Sequence, residues 1–540
     1  MEARKDSHAR NSRLMIWLQH SIQARTVITF TYQPALRPAL PCVYGPLDYR
    51  EQRALFQRID SILSASGIEE QFITLMLAAR EVDTHSATAA RLERFAKYSV
   101  LALRTNIARN LTGLDHRDFA IRLADSPLLQ WFLRVGEMGS IKAFSKSTSD
   151  RLSRWAGEPT VRLINEKLTA LLAATHPQNQ QPQTPATTFG LAESIQFDDV
   201  YFDSTCIKAD IHFPIDWVLL RDAARTLMKA TTLIRKHGLK HRMPQEPLEF
   251  LSDMNTLCMK MTAKSHAADG RKHRKKVLRE MKDLEKRIAA HARAHVTILK
   301  TRRVETDLSE AQAQLIINRI DHVLEQLPAA VKQAHERIIG GRRVANEDKI
   351  LSLYDAQINV IKRGKAGAQV EFGNKLWLGE TREGIIVDYQ FYQDNPSDTA
   401  LVKPAIERLV DTQQLSIGNV WGDRGLASKP NTALLEKLGI GNGLCPRNVS
   451  ELADKLANQQ GFREGLKRRA ATEGRIGIFK NVFLGRRLLA KGFEHRQLAV
   501  GWAVLTHNLW VVVRMAEAEA EKKRKEDQEH KEAIASTRAA

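Results

Sequence analysis

Cysteine is scarce and scattered. Cys42, Cys206, Cys258 and Cys445 include no CxxC pair, so the 540 residues support neither a zinc ribbon nor a disulfide framework. No GxxxxGK[ST] is present, and the glycines of Gly364–Lys375 are too loosely spaced for a nucleotide loop, so no nucleoside triphosphate is expected. Long apolar runs are lacking too. The longest, Leu498–Val513, is short for a membrane span and carries His507 and Asn508, which predicts a buried core helix. Met1–Arg13 is charged with no apolar stretch behind it, so no secretory signal is expected, and the expected compartment is the reducing cytoplasm.

What the chain has in excess is positive charge. Lys and Arg number 82 against 62 Asp and Glu, a net +20, while 43 % of residues are apolar. That balance is globular, and the length allows about three or four domains. The charge predicts an anionic partner, nucleic acid before membrane, since no amphipathic anchor accompanies it.

Residues 1–174 read as an all-α region. Apolar residues recur at helical spacing through Leu55, Ile59 and Ile62, through Phe72 and Leu75, and through Leu92 to Leu103. Asp125-Ser126-Pro127 is a helix start with a capping side chain and an early proline. After a break at Gly136 and Gly139, Ser145–Trp155 predicts a short helix with Leu152 and Trp155 inward and Lys146, Arg151 and Arg154 outward. Such a pair is either a helix-turn-helix that reads DNA or a helical hairpin with a solvated basic face. Residues 175–190 then form a linker: Thr175–Thr188 holds three prolines, four glutamines and no acid.

Beyond the linker, over 191–515, strands alternate with helices. Asp199–Phe213 predicts two strands with Asp203 in the first, followed by a helix capped by Asp216. An insertion of about 221–345 is helical again. Its middle, Lys264–Arg303, holds 14 Lys and Arg against 4 Asp and Glu, half of the net charge, with Arg274, Lys275 and Lys276 at its densest point. The neighbouring His266, His273, His291 and His295 sit among cations and are not expected to hold metal. Strands return at Val370–Glu380 and Gly384–Tyr392, then a helix at Asp398–Asp411 and a strand at Ser416–Gly422 ending at Asp423. Helix Asn431–Leu438, an extended Gly443–Pro446 and a largely helical Leu452–Arg475 with Glu473 follow. Residues 516–540 are a charged tail.

Three acids thus stand at distinctive places, Asp203 and Asp423 on strands and Glu473 on a late helix. A mixed sheet brings two strand-borne carboxylates together, and a helix crossing it supplies a third. Such a cluster is self-repelling unless cations intervene, and oxygen-only ligands favour Mg²⁺ or Mn²⁺. By spacing alone, Asp-Ser-Thr and Asp-Arg-Gly are equally local turn devices.

The wording around these acids resembles the DDE transposases of bacterial insertion sequences. Tyr201–Leu220 (YFDSTCIKADIHFPIDWVLL) is similar to that family's first block, Asn419–Ser428 (NVWGDRGLAS) to its second. Arg469, Glu473 and Lys480 reproduce the Arg, three residues, Glu, six residues, Lys spacing of its third. Many members carry a Tyr three residues before that Arg, where this chain has Leu466. The resemblance implies an α/β fold with a ribonuclease-H-like mixed-sheet catalytic core, a large helical insertion and an all-α DNA-binding region in front. It implies Asp203, Asp423 and Glu473 as catalytic ligands of two Mg²⁺ or Mn²⁺ ions, and Arg469 and Lys480 as phosphate contacts. Double-stranded DNA (terminal inverted repeats and target) would be the partner, with a homodimer on DNA in a bacterial, nucleoid-associated setting. Lys146, Arg151 and Arg154 would read the ends, and Arg274, Lys275 and Lys276 would grip flanking DNA. The rival expectations are a non-catalytic DNA-binding protein derived from a transposase and a ribonuclease-H-like nuclease or resolvase. In the residues alone, Arg469 is equally one more solvated member of a basic run, and Lys480 a strand-edge lysine. His212 and Asp216 are expected to shape the turn after the first strand rather than to touch metal.

Overall fold

The computed structural model describes residues 39–135, 140–173, 189–191, 195, 197–263, 269–355, 357–365, 368–485 and 487–539, with the side chains of 363–369 and 533–540 left aside. The expected linker, except for residues 189 and 190, the glycine break at 136–139, His266 and the Met1–Arg13 stretch lie outside the described residues.

The first third is helical: α1 (Leu47–Ala65), α2 (Ile68–Ala79), α3 (Ala89–Thr112), α4 (His116–Asp125), α5 (Pro127–Leu133), α6 (Lys146–Ser153) and α7 (Glu158–Ala173). Side chains set the starts. Ser126 accepts from the Leu129 N–H, with Pro127 next in line, and Ser145 accepts from the Thr148 N–H, both where the sequence predicts them. The segment between α5 and α6 covers residues 134–145, longer than the tight turn of a helix-turn-helix.

The sheet has six strands: β1 (Asp199–Lys208), β2 (Asn359–Lys365), β3 (Ala368–Thr381), β4 (Ile386–Tyr392), β5 (Asn419–Gly422) and β6 (Gly441–Leu444). Their order is β2-β3-β1-β5-β6, with β4 also paired to β3. β1 runs antiparallel to β3 and parallel to β5, which is in turn parallel to β6, so the sheet is mixed and open. Helices make up 65 % of the α/β fold. Two expectations change here. Asp199–Phe213 is one strand, because β1 stays paired with β3 as far as Lys208↔Gly373 and the chain then turns at Ala209–Ile211. A further strand, β2, precedes Val370, where the glycine-rich wording hid a hairpin.

Between β1 and β2 stand α8 (Asp216–Lys236), α9 (Pro247–Ala263), α10 (Gly270–Arg302) and α11 (Glu310–Ala334). These four helices pack around their own core of Leu220, Leu227, Phe250, Met281, Ile288 and Ile320, so the insertion is a structural unit of its own. Asp216 is not the expected cap. It lies inside the first turn, buried, where Gln333 Nε2 (2.9 Å) donates to it from the end of α11 and Arg337 (2.8 Å) from the π turn that follows.

After β4 come α12 (Val402–Glu407, between a 3₁₀ turn at Asp398–Leu401 and a π turn at Arg408–Thr412), α13 (Lys429–Lys437), α14 (Val449–Asn458), α15 (Phe462–Ile478) and α16 (Phe493–Ala539). The expected helix over Leu452–Arg475 is two helices, broken at Gly461 in the left-handed conformation. Alternate residues of the sheet feed two cores. Val200, Phe202, Trp377 and Val420 face the core shared with α1–α7, while Ile207, Leu376, Leu378 and Ile386 face α15 and the start of α16.

The apolar stretch of α16 is the buried helix the sequence predicts. Asn508 explains its polar residue: Oδ1 accepts the Ile386 N–H (2.8 Å) and Nδ2 donates to the Ile386 carbonyl (2.9 Å), completing the β4 backbone. One helix among the described residues, this one, is long and apolar enough to cross a membrane, and 78 % of its apolar window is buried in the fold.

Candidate active site

Parallel pairing brings two of the three acids together. Tyr201 of β1 stands opposite Trp421 of β5, and each acid lies two residues further on, Asp203 still within β1 and Asp423 just past the end of β5. The same period of two turns Tyr201, Asp203, Thr205 and Ile207 to one face of the sheet.

Across that face lies α15, which continues through a π turn at Phe479–Phe483. Phe462, Leu466, Arg469, Glu473, Ile476 and Lys480 follow one another at steps of three and four, a single stripe of the helix. Its apolar end packs on the sheet: Phe462 and Leu466 join Tyr201 and Trp421 in one cluster. Gly465 makes the close approach possible, since a Cβ there would come within 2.1 Å of the Trp421 ring. The rest of the stripe then passes over the acids. Glu473 arrives beside Asp203 and Asp423, and Lys480 Nζ donates to Thr205 Oγ1 at 3.2 Å. Lys480 is therefore on a helix over the site, not on a strand edge.

Arg469 is no solvated member of a basic run. One terminal nitrogen of its guanidinium lies 3.3 Å from Asp203, 3.7 Å from Glu473 and 3.9 Å from Asp423. Asp203 also accepts the Ser204 N–H at 2.7 Å. Burial pushes the Asp203 carboxyl up to about 6; Arg469 opposes the shift and the Asp423 and Glu473 charges add to it. The donor set suits a hard divalent cation, being all carboxylate oxygen. Its spacing around Arg469 is wider than ligation requires, and no group of His, Cys, Asp or Glu among the described residues is drawn together closely enough to hold a metal ion.

Sequence reasoning missed the residues that anchor α15. Glu380, opposite Tyr201 in the β1–β3 register, is buried and accepts from Thr472 Oγ1 (2.8 Å) and from Arg468 (3.2 Å). Arg468 donates further to the Thr381 and Arg382 carbonyls (2.9 and 2.7 Å) and stacks on the Tyr201 ring. Burial raises the Glu380 carboxyl, with Arg475 and Arg468 pulling against it. A second missed group is Asp398, to whose Oδ1 both Ser204 Oγ and Lys375 Nζ donate at 2.9 Å. No local signal marks Asp398; Glu380 could have been read from the alternation of β3.

The three acids, Arg469 and Asp398, but not Glu380 or Arg468, line an open cleft of about 1940 Å³. Asp203, Asp423, Glu473, Arg469, Lys480, Lys375 and Asp398 form its floor at the sheet, and His322, Glu325 and Gln326 of α11 stand on the insertion side. Arg274, Lys275 and Lys276, on α10, do not line it. Lys146, Arg151 and Arg154 are exposed on α6, away from the cleft lining, with Arg154 paired to Asp150. His212 bonds Asp222 (2.8 Å) and the Phe213 carbonyl, so it shapes the turn into α8 and touches none of the three acids.

Compared with family models, curated proteins and solved structures, the chain matches none significantly.

Proposed function

We propose that the protein is a metal-dependent DNA transposase of the DDE type, acting at the ends of an insertion sequence. The observation that carries this reading is the meeting of Asp203, Asp423 and Glu473, separated by 220 and 50 residues in sequence, at one cleft floor with Arg469 and Lys480 beside them. A mixed sheet with antiparallel strands on one side of β1 and parallel strands on the other agrees with a ribonuclease-H-like core.

In this reading Asp203, Asp423 and Glu473 would hold Mg²⁺ or Mn²⁺, which when bound would supply activation of a water or 3′-hydroxyl and stabilisation of the leaving oxygen of a phosphodiester. The chain's own contribution is placement. β1 and β5 fix two carboxylates at one height, α15 brings the third, and Lys480 supplies a charge-assisted contact to the DNA phosphate. Cutting the end exposes a 3′-hydroxyl, which then attacks target DNA directly, so no covalent protein–DNA intermediate is required. Leu466, where many members of the resembled family carry a Tyr, packs against Tyr201 and Trp421, outside the cleft lining. The exposed basic face of α6 would bind the ends, the basic α10 would grip flanking DNA, and pairing of two ends calls for a dimer on DNA.

The test is incubation of the full chain and Mg²⁺ with a plasmid carrying the DNA that flanks its own coding sequence. Breaks with free 3′-hydroxyls at inverted repeats are expected. Binding to those ends without any break would identify a DNA-binding protein instead, and cleavage confined to branched junctions a resolvase.

A further inference from the structure

Arg469 stands where a metal ion would. All three carboxylates converge on the same terminal nitrogen, at 3.3, 3.7 and 3.9 Å, whereas Mg²⁺ takes its oxygen ligands at about 2.0–2.1 Å. Only the Asp203 contact is a hydrogen bond; the others are looser ion pairs. The Nε of the same guanidinium is buried and makes no hydrogen bond. Three carboxylates in a half-buried pocket need positive charge to stay together. Here the side chain supplies it from the same helix that carries Glu473, one turn earlier. The arrangement is partly compensated without a metal, one guanidinium serving three acids, and is geometrically loose and incompletely bonded, so a better partner for the guanidinium can draw it away.

We propose that Arg469 is a resident counter-cation that competes with divalent metal for the three carboxylates and is released to the DNA phosphate when the substrate enters the cleft. DNA and metal then load together: phosphate takes the guanidinium, the carboxylates close on the ions, and a DNA-free protein is held in a metal-poor state. The pocket supports such a swing. It opens onto the cleft, and Lys480 lines the same floor, beside which a phosphate would lie. The inference rests on the reading of the acids as metal ligands.

The experiment measures Mn²⁺ binding to the full chain, from the electron paramagnetic resonance signal of free Mn²⁺, with and without duplex end DNA. Arg469→Gln removes the charge and keeps a polar side chain; Arg469→Lys keeps the charge. Without DNA, Arg469→Gln is expected to bind Mn²⁺ about tenfold tighter than the unaltered protein, or more, and Arg469→Lys within about threefold of it, since each tenfold needs only ~1.4 kcal/mol of relieved competition. Duplex DNA is expected to tighten Mn²⁺ binding to the unaltered protein and to do so much less for Arg469→Gln. Equal or weaker binding by Arg469→Gln, or an equal gain in Arg469→Lys, overturns the proposal. Adding Asp203→Asn to Arg469→Gln separates the two levels. Binding that depends on Asp203 but ignores Arg469 sinks the counter-cation alone, and binding indifferent to Asp203 sinks the metal site with it. Thermal melts of each variant establish that it is folded before binding is compared.

Discussion

His507 shows how one buried side chain ties stability to pH. It lies against Phe479, Phe483 and Trp510, and burial lowers its pKa to about 4. An unfolded chain takes up that proton near pH 6.5, so between the two values the unfolded state binds more protons. The contribution of His507 is complete above about pH 6.5 and is lost as pH falls toward 4, by about 2 kcal/mol at pH 5. Urea unfolding at pH 7 and pH 5 is expected to show this loss, and His507→Leu to reduce it. Arg468 is the second residue-scale case. Arg468→Ala leaves Glu380 buried with only Thr472 and a distant Arg475, at a cost of about 3 kcal/mol. The neighbouring Lys467 is exposed, and Lys467→Ala is expected to stay within about 0.5 kcal/mol in the same denaturation assay.

At the scale of elements, α15 decides whether the acids meet. Its seat on β5 depends on Gly465, where a Cβ would strike the Trp421 ring at 2.1 Å. Gly465→Ala is expected to destabilise by about 1–3 kcal/mol and to reduce DNA cleavage beyond what the lost stability explains, because Arg469 and Glu473 shift with the helix. Unchanged cleavage at full folding would show that the seat is not critical. Part of this element was legible in advance: the strand carrying Asp203 and a helix carrying Glu473 were both expected, whereas the break at Gly461 and the continuation to Lys480 were not. The capped start at Ser126 also follows from side-chain chemistry alone. What could not be read was partnership across long separations. Arg468 and Arg469 are adjacent in a basic run, yet one binds Glu380 and the other three acids, and only the packing of α15 on β1 and β3 separates their roles. β2 was missed for a related reason: its strand character comes from pairing with β3, not from its own composition.

The whole molecule joins its halves through one core. Asn165 Nδ2 donates to the Gly501 carbonyl (3.1 Å), Trp502 Nε1 to the Ser153 carbonyl (3.2 Å), and Arg162 to the Tyr389 carbonyl (2.8 Å). Phe72 and Leu168 share a cluster with Trp502, Val200 and Phe202. Removal of residues 1–174 therefore strips a large apolar surface from the sheet and α16, and is expected to give an insoluble product rather than a catalytic fragment. End binding is better probed on the intact chain. Lys146→Glu, Arg151→Glu and Arg154→Glu together are expected to keep the thermal melt and to weaken binding to the ends in a mobility-shift assay, with a shallower salt dependence. Unchanged end binding would remove α6 from the interface. The insertion, by contrast, closes its own core and presents α11, not the basic α10, to the cleft. Half of the excess charge belongs to the Lys264–Arg303 stretch, and none of its described residues lines the cleft.

The proposed activity depends on all three carboxylates. The direct measurement is Mg²⁺-dependent cleavage of end-bearing donor DNA by Asp203→Asn, Asp423→Asn and Glu473→Gln, with binding to the same DNA followed in parallel. Cleavage is expected to fall to background in all three while binding persists. Full cleavage by any one of them would contradict it.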